Sequence, residues 1–349
     1  MMLVACHSRD VTTVSIEGEK FLINGRPTYE GVVFEGKPVE GLLMNSRMVQ
    51  GIFDDLNPVT RRRFAYADTQ LWDPDRNTDE FVRQIPIWYE YGLRAFTLNL
   101  QGGSPLGYGN EGWINSAFQP DGSLDIEYLK RLEKVLDVSQ STGMVVILGY
   151  FYFGQDEYLT DEEAVQNAVE QMTNWLINKD YQHVLVEIAN ECDIYYDHEI
   201  LKPENIGALI RKVQTYRWKN GGKVLVSTSF SGGVLPPKSL LNQVDYVLLH
   251  GNGVDQPVDL KRLVDLTRDH LDSPKPIVIN EDDHFDFDKE DNHFKSAVEA
   301  YASWGYFDYR MEGEDYHHGF QSIPVDWSIN SPRKQAFFQQ LKKITTGDQ

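Results

Sequence analysis

The 349 residues contain only two cysteines, Cys6 and Cys192, too few for a disulfide framework. Basic residues are scarce beside acidic ones. Against 53 Asp and Glu stand 33 Lys and Arg, a formal charge of −20. A surface of that sign repels phosphate backbones, which excludes nucleic acid as a partner. Arg61-Arg62-Arg63 reverses the sign only locally. No apolar run approaches the roughly 18 residues of a membrane-spanning helix. No Gly-x-Gly-x-x-Gly or phosphate loop follows the first strand, so an open doubly wound nucleotide-binding sheet lacks support. There is no repeat of fixed period and no low-complexity linker.

What is present is core-forming material: 41% hydrophobic and 12% aromatic residues. Strand-like runs alternate with helical apolar spacing eight times. The strands are expected near residues 41–45, 93–100, 144–148, 184–191, 223–227, 244–250, 277–281 and 304–310. Helical stripes include Phe81, Ile85 and Trp88, then Leu129, Leu132 and Leu136, and later Leu260, Leu263 and Val264. Ser123, a Thr160/Glu163 capping box, Pro203 and Ser331-Pro332 read as helix starts, and Gly143 as a helix end. Alternation of this kind predicts a parallel sheet closed into a (β/α)8 TIM barrel. A β-hairpin over residues 14–33, with Asn24-Gly25 as its turn signal, is placed to close the barrel's bottom. Residues 14–349 then read as a single catalytic domain behind a tail, 1–13.

Two stretches stand out. Val184-Leu-Val-Glu-Ile-Ala-Asn-Glu191 is a buried-strand pattern that stops at Asn190-Glu191, and Pro276-Ile-Val-Ile-Asn-Glu281 stops in the same way at Asn280-Glu281. By count these are the fourth and seventh strands, whose ends face each other across a barrel mouth. Two carboxylates across a cleft suit cleavage of a glycosidic bond. One donates a proton to the leaving oxygen; the other attacks or activates water. A separation of about 5–5.5 Å implies retention, and about 6.5–9.5 Å inversion. His250 shares parity with Tyr246 and Leu248. It is expected at the barrel top, either orienting a carboxylate or binding a sugar, or else as a structural histidine. Asn99 ends the second strand. Tyr150, Tyr152, Tyr195, Trp304, Tyr309 and Trp327 lie at or beyond strand ends, with Tyr150, Trp304 and Tyr309 as candidate sugar platforms. Cys192 reads as a small buried filler.

Val186-Glu-Ile-Ala-Asn-Glu191 resembles the fourth-strand motif of the clan A glycoside hydrolases, the cellulase-like 4/7 superfamily. Phe21-Leu-Ile-Asn-Gly-Arg-Pro27 resembles an opening segment common there. The resemblance implies a retaining two-glutamate enzyme for β-linked glycans that needs no cofactor or metal. It implies Glu191 as acid/base, Glu281 as nucleophile, and Asn190 as the residue holding the sugar 2-hydroxyl. Two departures stand out. Cys192 replaces the proline usual after Asn-Glu, and the seventh strand ends in the acidic run Glu281-Asp282-Asp283. For these roles Glu281 is expected to have the lower pKa and Glu191 the higher. Two alternatives stay open: a metal-dependent sugar-converting barrel enzyme with Glu191, His250, Glu281 and Asp283 as ligands, and a non-catalytic glycan-binding protein. Leu3-Val-Ala-Cys6 is similar to a lipoprotein processing site. It gives the expectation of an exported periplasmic or outer-membrane protein anchored through lipidated Cys6, with a cytoplasmic protein as the alternative.

Overall fold

The computed structural model describes residues 11–109 and 112–347. Strands β1 (Val14–Glu17), β2 (Lys20–Ile23) and β3 (Arg26–Pro27) form an antiparallel meander. Asn24 and Gly25 turn between β2 and β3 with φ of 53° and 74°, which suits these residue types. A short hairpin follows, β4 (Val33–Phe34) with β5 (Lys37–Pro38). Eight strand–helix units come next. They are β6 (Asn45–Arg47) with α1 (Pro74–Glu90), β7 (Ala95–Asn99) with α2 (Ile126–Thr142), β8 (Val145–Tyr152) with α3 (Glu162–Lys179), and β9 (Val184–Asn190) with α4 (Gly207–Val213). The second half has β10 (Val226–Ser227) with α5 (Lys238–Leu241), β11 (Val247–His250) with α6 (Pro257–Asp269), β12 (Ile277–Glu281) with α7 (His293–Glu299), and β13 (Gly305–Tyr306) with α8 (Pro332–Thr346).

Six of the strands form one parallel sheet in the order β10-β9-β8-β7-β6-β13. Parallel bridges Val278–Ser303 and Asp282–Tyr306 carry the ladder from β13 to β12, which pairs with β11. The last joint is a backbone bond, Asp245 N donating to Val226 O at 3.0 Å. Alternation sends one set of side chains inward. Ala95, Ile147, Leu185, Leu225, Leu248 and Val278 share one apolar cluster inside the strands, apart from the main core under the helices. Val14 and Phe21 belong to the same inner cluster, so the barrel's floor is this meander, at the place expected for the hairpin over residues 14–33.

Local chemistry moved several boundaries. The first barrel strand starts at Asn45 rather than Gly41, and the eighth spans Gly305–Tyr306 alone. Helix α2 is capped by Asp125, which accepts from the Glu127 and Tyr128 amides, while Ser123 is held in a turn by Asp121. Asp161, not Thr160, caps α3. Helix α4 begins at Gly207, past Pro203. Gly143, at φ 86°, and Ser331 terminate and cap as expected. No described helix is long and apolar enough to cross a membrane, and Cys6 lies outside the described residues.

Candidate active site

The C-terminal ends of β9 and β12 bring Glu191 and Glu281 together. Glu191 adopts a left-handed backbone, φ 49°, just past β9, and its amide donates to Ser229 Oγ at 2.9 Å. A non-glycine residue in that region stores strain on the order of 1 kcal/mol, and such residues cluster at functional sites. Glu281 ends β12, where Asn252 Nδ2 donates to its Oε1 at 3.0 Å. Between the two lies His250 at the end of β11, with Nδ1 2.9 Å from Glu191 Oε1 and 3.4 Å from Glu281 Oε2. The three groups each present a ligating atom within 4.8 Å of the others. Arg47, wholly buried at the end of β6, puts Nη1 3.0 Å from Glu281 Oε2. Both carboxylates are nearly sealed, with Glu191 7% and Glu281 4% exposed.

Charge in so dry a place is set by neighbours. Burial pushes Glu281 up, and it stays raised despite the opposing charges of Arg47 and His250. For Glu191 burial acts in the same sense, but the hydrogen bond and charge of His250, with Arg47, outweigh it and hold the carboxyl down. Burial alone would lower His250; the charges of Glu281 and Glu191 raise it instead. The two directions run against those expected from the assigned roles, because His250 hydrogen-bonds Glu191 while burial dominates at Glu281. A third carboxyl, Glu187, points inward from β9, fully buried, and is raised by that burial.

The other predicted residues divide. Asn190 and Asn99 are buried at strand ends, and their side-chain amides have no hydrogen-bond partner among the described residues, as is also true of Asn280. Gly149 makes room for Asn99 and Glu187 inside the barrel: a Cβ there would run into Asn99 Oδ1 and come within 3.6 Å of Glu187 Oε2. Tyr309 is half-buried on the rim, its ring 4.8 Å from that of Tyr108, whose hydroxyl donates to Asp283. Tyr150 is not in the mouth. Valine and isoleucine at 145 and 147 face inward, so position 150 faces α3, where its hydroxyl meets Thr173 Oγ1 at 3.3 Å. Trp304 is likewise no platform. It precedes β13, stacks on Phe294 under the helices and donates to Asp282 Oδ2. Trp327 is core, packed on Phe81 and Phe320. Cys192 is buried, as expected of a filler, and burial pushes its thiol up.

Sequence reasoning missed Arg47, Asn252 and Tyr108. Arg47 carried one usable signal, a cation at the end of the first barrel strand; Asn252 and Tyr108 sit in loops whose course only the fold fixes.

The sequence matches no family model and no curated protein. Solved structures do resemble it. A glycoside hydrolase family 5 protein from Bacteroides vulgatus aligns at TM-score 0.58 and 14% identity, over 95% of this chain and 70% of that one. A broad-specificity endoglucanase of family 5 from Bacteroides salanitronis aligns at TM-score 0.52 and 12% identity, over 86% and 92%. An endo-1,4-β-mannanase from Eisenia fetida aligns at TM-score 0.55 and 14% identity, over 95% of both chains. The chain spans 60% of the length of one similar structure and 96% of another. Likeness at this level of identity speaks to architecture, and it shows that the chain has the fold of the family 5 glycoside hydrolases, the cellulase-like (β/α)8 barrel of clan A.

Proposed function

We propose that the protein is a retaining glycoside hydrolase for a β-linked glycan, with Glu281 as nucleophile and Glu191 as acid/base. The observation that carries this reading is the sealed pair of glutamates on β9 and β12, with carboxyl oxygens within 4.8 Å of one another. Retaining pairs stand closer together than inverting ones, and the closeness of these oxygens favours retention. Glu281 attacks the anomeric carbon while Glu191 protonates the departing oxygen. Glu191 then takes a proton from water, which releases the sugar from its ester with Glu281. Arg47, at 3.0 Å from Glu281, stabilises the attacking anion. The roles require one proton to lie on Glu191 when sugar is bound. His250 Nδ1, within reach of both carboxylates, is placed to pass it across. The amides of Asn190, Asn99 and Asn280 supply donors and acceptors for sugar hydroxyls.

The metal-dependent reading uses the same Glu191, His250 and Glu281. Arg47 already presents a fixed cation to the Glu281 oxygen that a metal would take, and a second cation there meets repulsion. A purely binding role leaves the Glu–His–Glu–Arg arrangement unexplained.

The test is a screen of aryl β-glycosides with β-1,4-glucan and β-mannan, the polymers suggested by the similar endoglucanase and mannanase, with the product anomer followed by NMR. Glu191→Gln and Glu281→Gln should each lower turnover by several orders of magnitude with the fold intact. In Glu191→Ala, azide should give the β-glycosyl azide from an activated aryl glycoside; in Glu281→Ala it should give the α-azide. The opposite products would exchange the two roles. An α-anomer as the first product of the wild type would refute retention.

A further inference from the structure

A second cluster of acids stands outside the glutamate pair. Asp156 lies in the turn Asp156–Tyr158 after β8, next to Glu157, and Asp197 lies in the loop after β9. Each offers a carboxylate oxygen, and these oxygens fall within 4.8 Å of one another. Acids on a surface often gather without consequence. Here Asp156 is completely buried, while Glu157 and Asp197 are exposed. Asp156 Oδ2 accepts the amides of Asp197 at 2.9 Å and His198 at 3.1 Å, which fixes the carboxylate against the second loop. Its Oδ1 is buried with no hydrogen-bond partner. A buried acceptor left unpaired costs on the order of 1–3 kcal/mol unless a ligand satisfies it.

The basic groups nearby have other contacts as well. His198 Nε2 lies against the carbonyls of Asp156 and Leu159, and Lys202 pairs with Glu199 at 2.5 Å. Among the described residues no ion pair involves Asp156, Glu157 or Asp197.

We propose that Asp156, Glu157 and Asp197 form a calcium site that clamps the loop after β8 to the loop after β9. An all-oxygen set selects a hard cation and disfavours zinc or copper. Calcium holds oxygens at about 2.3–2.6 Å, so ligands on opposite sides of the ion stand roughly 4.6–5.2 Å apart; magnesium, at about 2.0–2.1 Å, demands a tighter and more regular cage. Oxygens within 4.8 Å of one another fit around calcium, with water completing the shell, and ligands held on two separate loops suit its flexible geometry better than the regular cage of magnesium. The two clamped loops carry Phe153 and Tyr195, whose rings touch at 5.3 Å, so the ion would also fix one wall of the mouth. The Asp282–His284–His293 group differs. Its imidazoles stack 3.7 Å apart with 21° between planes, so one ion cannot lie in the plane of both rings.

The test uses the full chain, freed of metal with a chelator and titrated with calcium chloride in a calorimeter and in thermal melts. One calcium should bind with Kd on the order of 10⁻⁴ M and raise the Tm, and magnesium should bind at least about tenfold more weakly, by the same size argument. Glu157→Gln and Asp197→Asn alter exposed groups and should leave the calcium-free melt unchanged. Each should weaken calcium binding about tenfold or more, the effect of losing a charged ligand. Absence of calcium binding in the wild type, or undiminished binding in the Glu157→Gln/Asp197→Asn double variant, would overturn the assignment.

Discussion

Replacing Arg47 by methionine removes the guanidinium beside Glu281 and keeps much of the side chain's apolar volume. The guanidinium stands 3.0 Å from Glu281 Oε2, with neither group appreciably open to water. At an effective dielectric of about 20, that contact carries roughly 5 kcal/mol of attraction. His250, 3.4 Å from the same oxygen, can take over part of it. Allowing for half, the Glu281 carboxyl should rise further by about two pK units, at 1.36 kcal/mol per unit. The sign follows directly. The carboxyl is already raised by burial, and losing Arg47 moves it the same way, so the ionised form that the proposed nucleophile needs is lost at a higher pH. The acid limb of kcat/KM should move about two units to the alkaline side, with activity down by roughly 10²-fold below the new limb and partly regained above it. The assay is a pH–rate profile on the best aryl β-glycoside from the screen. Folding can be separated from chemistry, because an unpaired buried carboxylate costs about 3–5 kcal/mol. Arg47→Met should therefore lower the Tm, and adding Glu281→Gln should restore it. An unmoved acid limb, or a loss confined to KM, would refute the pairing of Arg47 with the proposed nucleophile.

Three further outcomes are expected. His183 is buried and held down to about 3 by that burial, against 6.5 when exposed. The unfolded chain therefore takes up the proton first, and stability should fall by about 1.4 kcal/mol per unit as pH drops from 6.5 towards 3. His183→Gln should flatten that part of a Tm-against-pH curve, and an unchanged slope would reject the reading. Glu187→Gln should hold stability within about 1 kcal/mol by chemical denaturation, because burial already favours the neutral carboxyl; a loss above about 3 kcal/mol would show that its charge is needed. Gly122→Ala should cost about 2 kcal/mol or more in the same measurement. It combines φ 79° with a Cβ that would run into the Ala164 carbonyl oxygen, and a wild-type melt would contradict this.

Much of this was legible in the chain. Eight apolar runs alternating with helical stripes fixed the barrel, because strand burial and helix amphipathicity are local periodicities. The repeated Asn-Glu endings at 190–191 and 280–281 located the two carboxylates, since a parallel barrel gathers strand ends at one mouth. Parity placed His250 inward with Tyr246 and Leu248. The same parity along β8 turns Tyr150 towards α3. Only the tertiary structure decided the rest. Trp304 left the mouth because its indole N–H found Asp282, a partner brought close by the β12–β13 bridges. Arg47 and Asn252 joined Glu281 from 234 and 29 residues away in sequence, a proximity that no local pattern encodes. The opposite directions of the two glutamate shifts also came from the fold, which gives Glu191 a hydrogen bond from His250 and leaves burial dominant at Glu281. Composition names the groups that titrate, but their separation in a dry cavity sets which of them holds the proton.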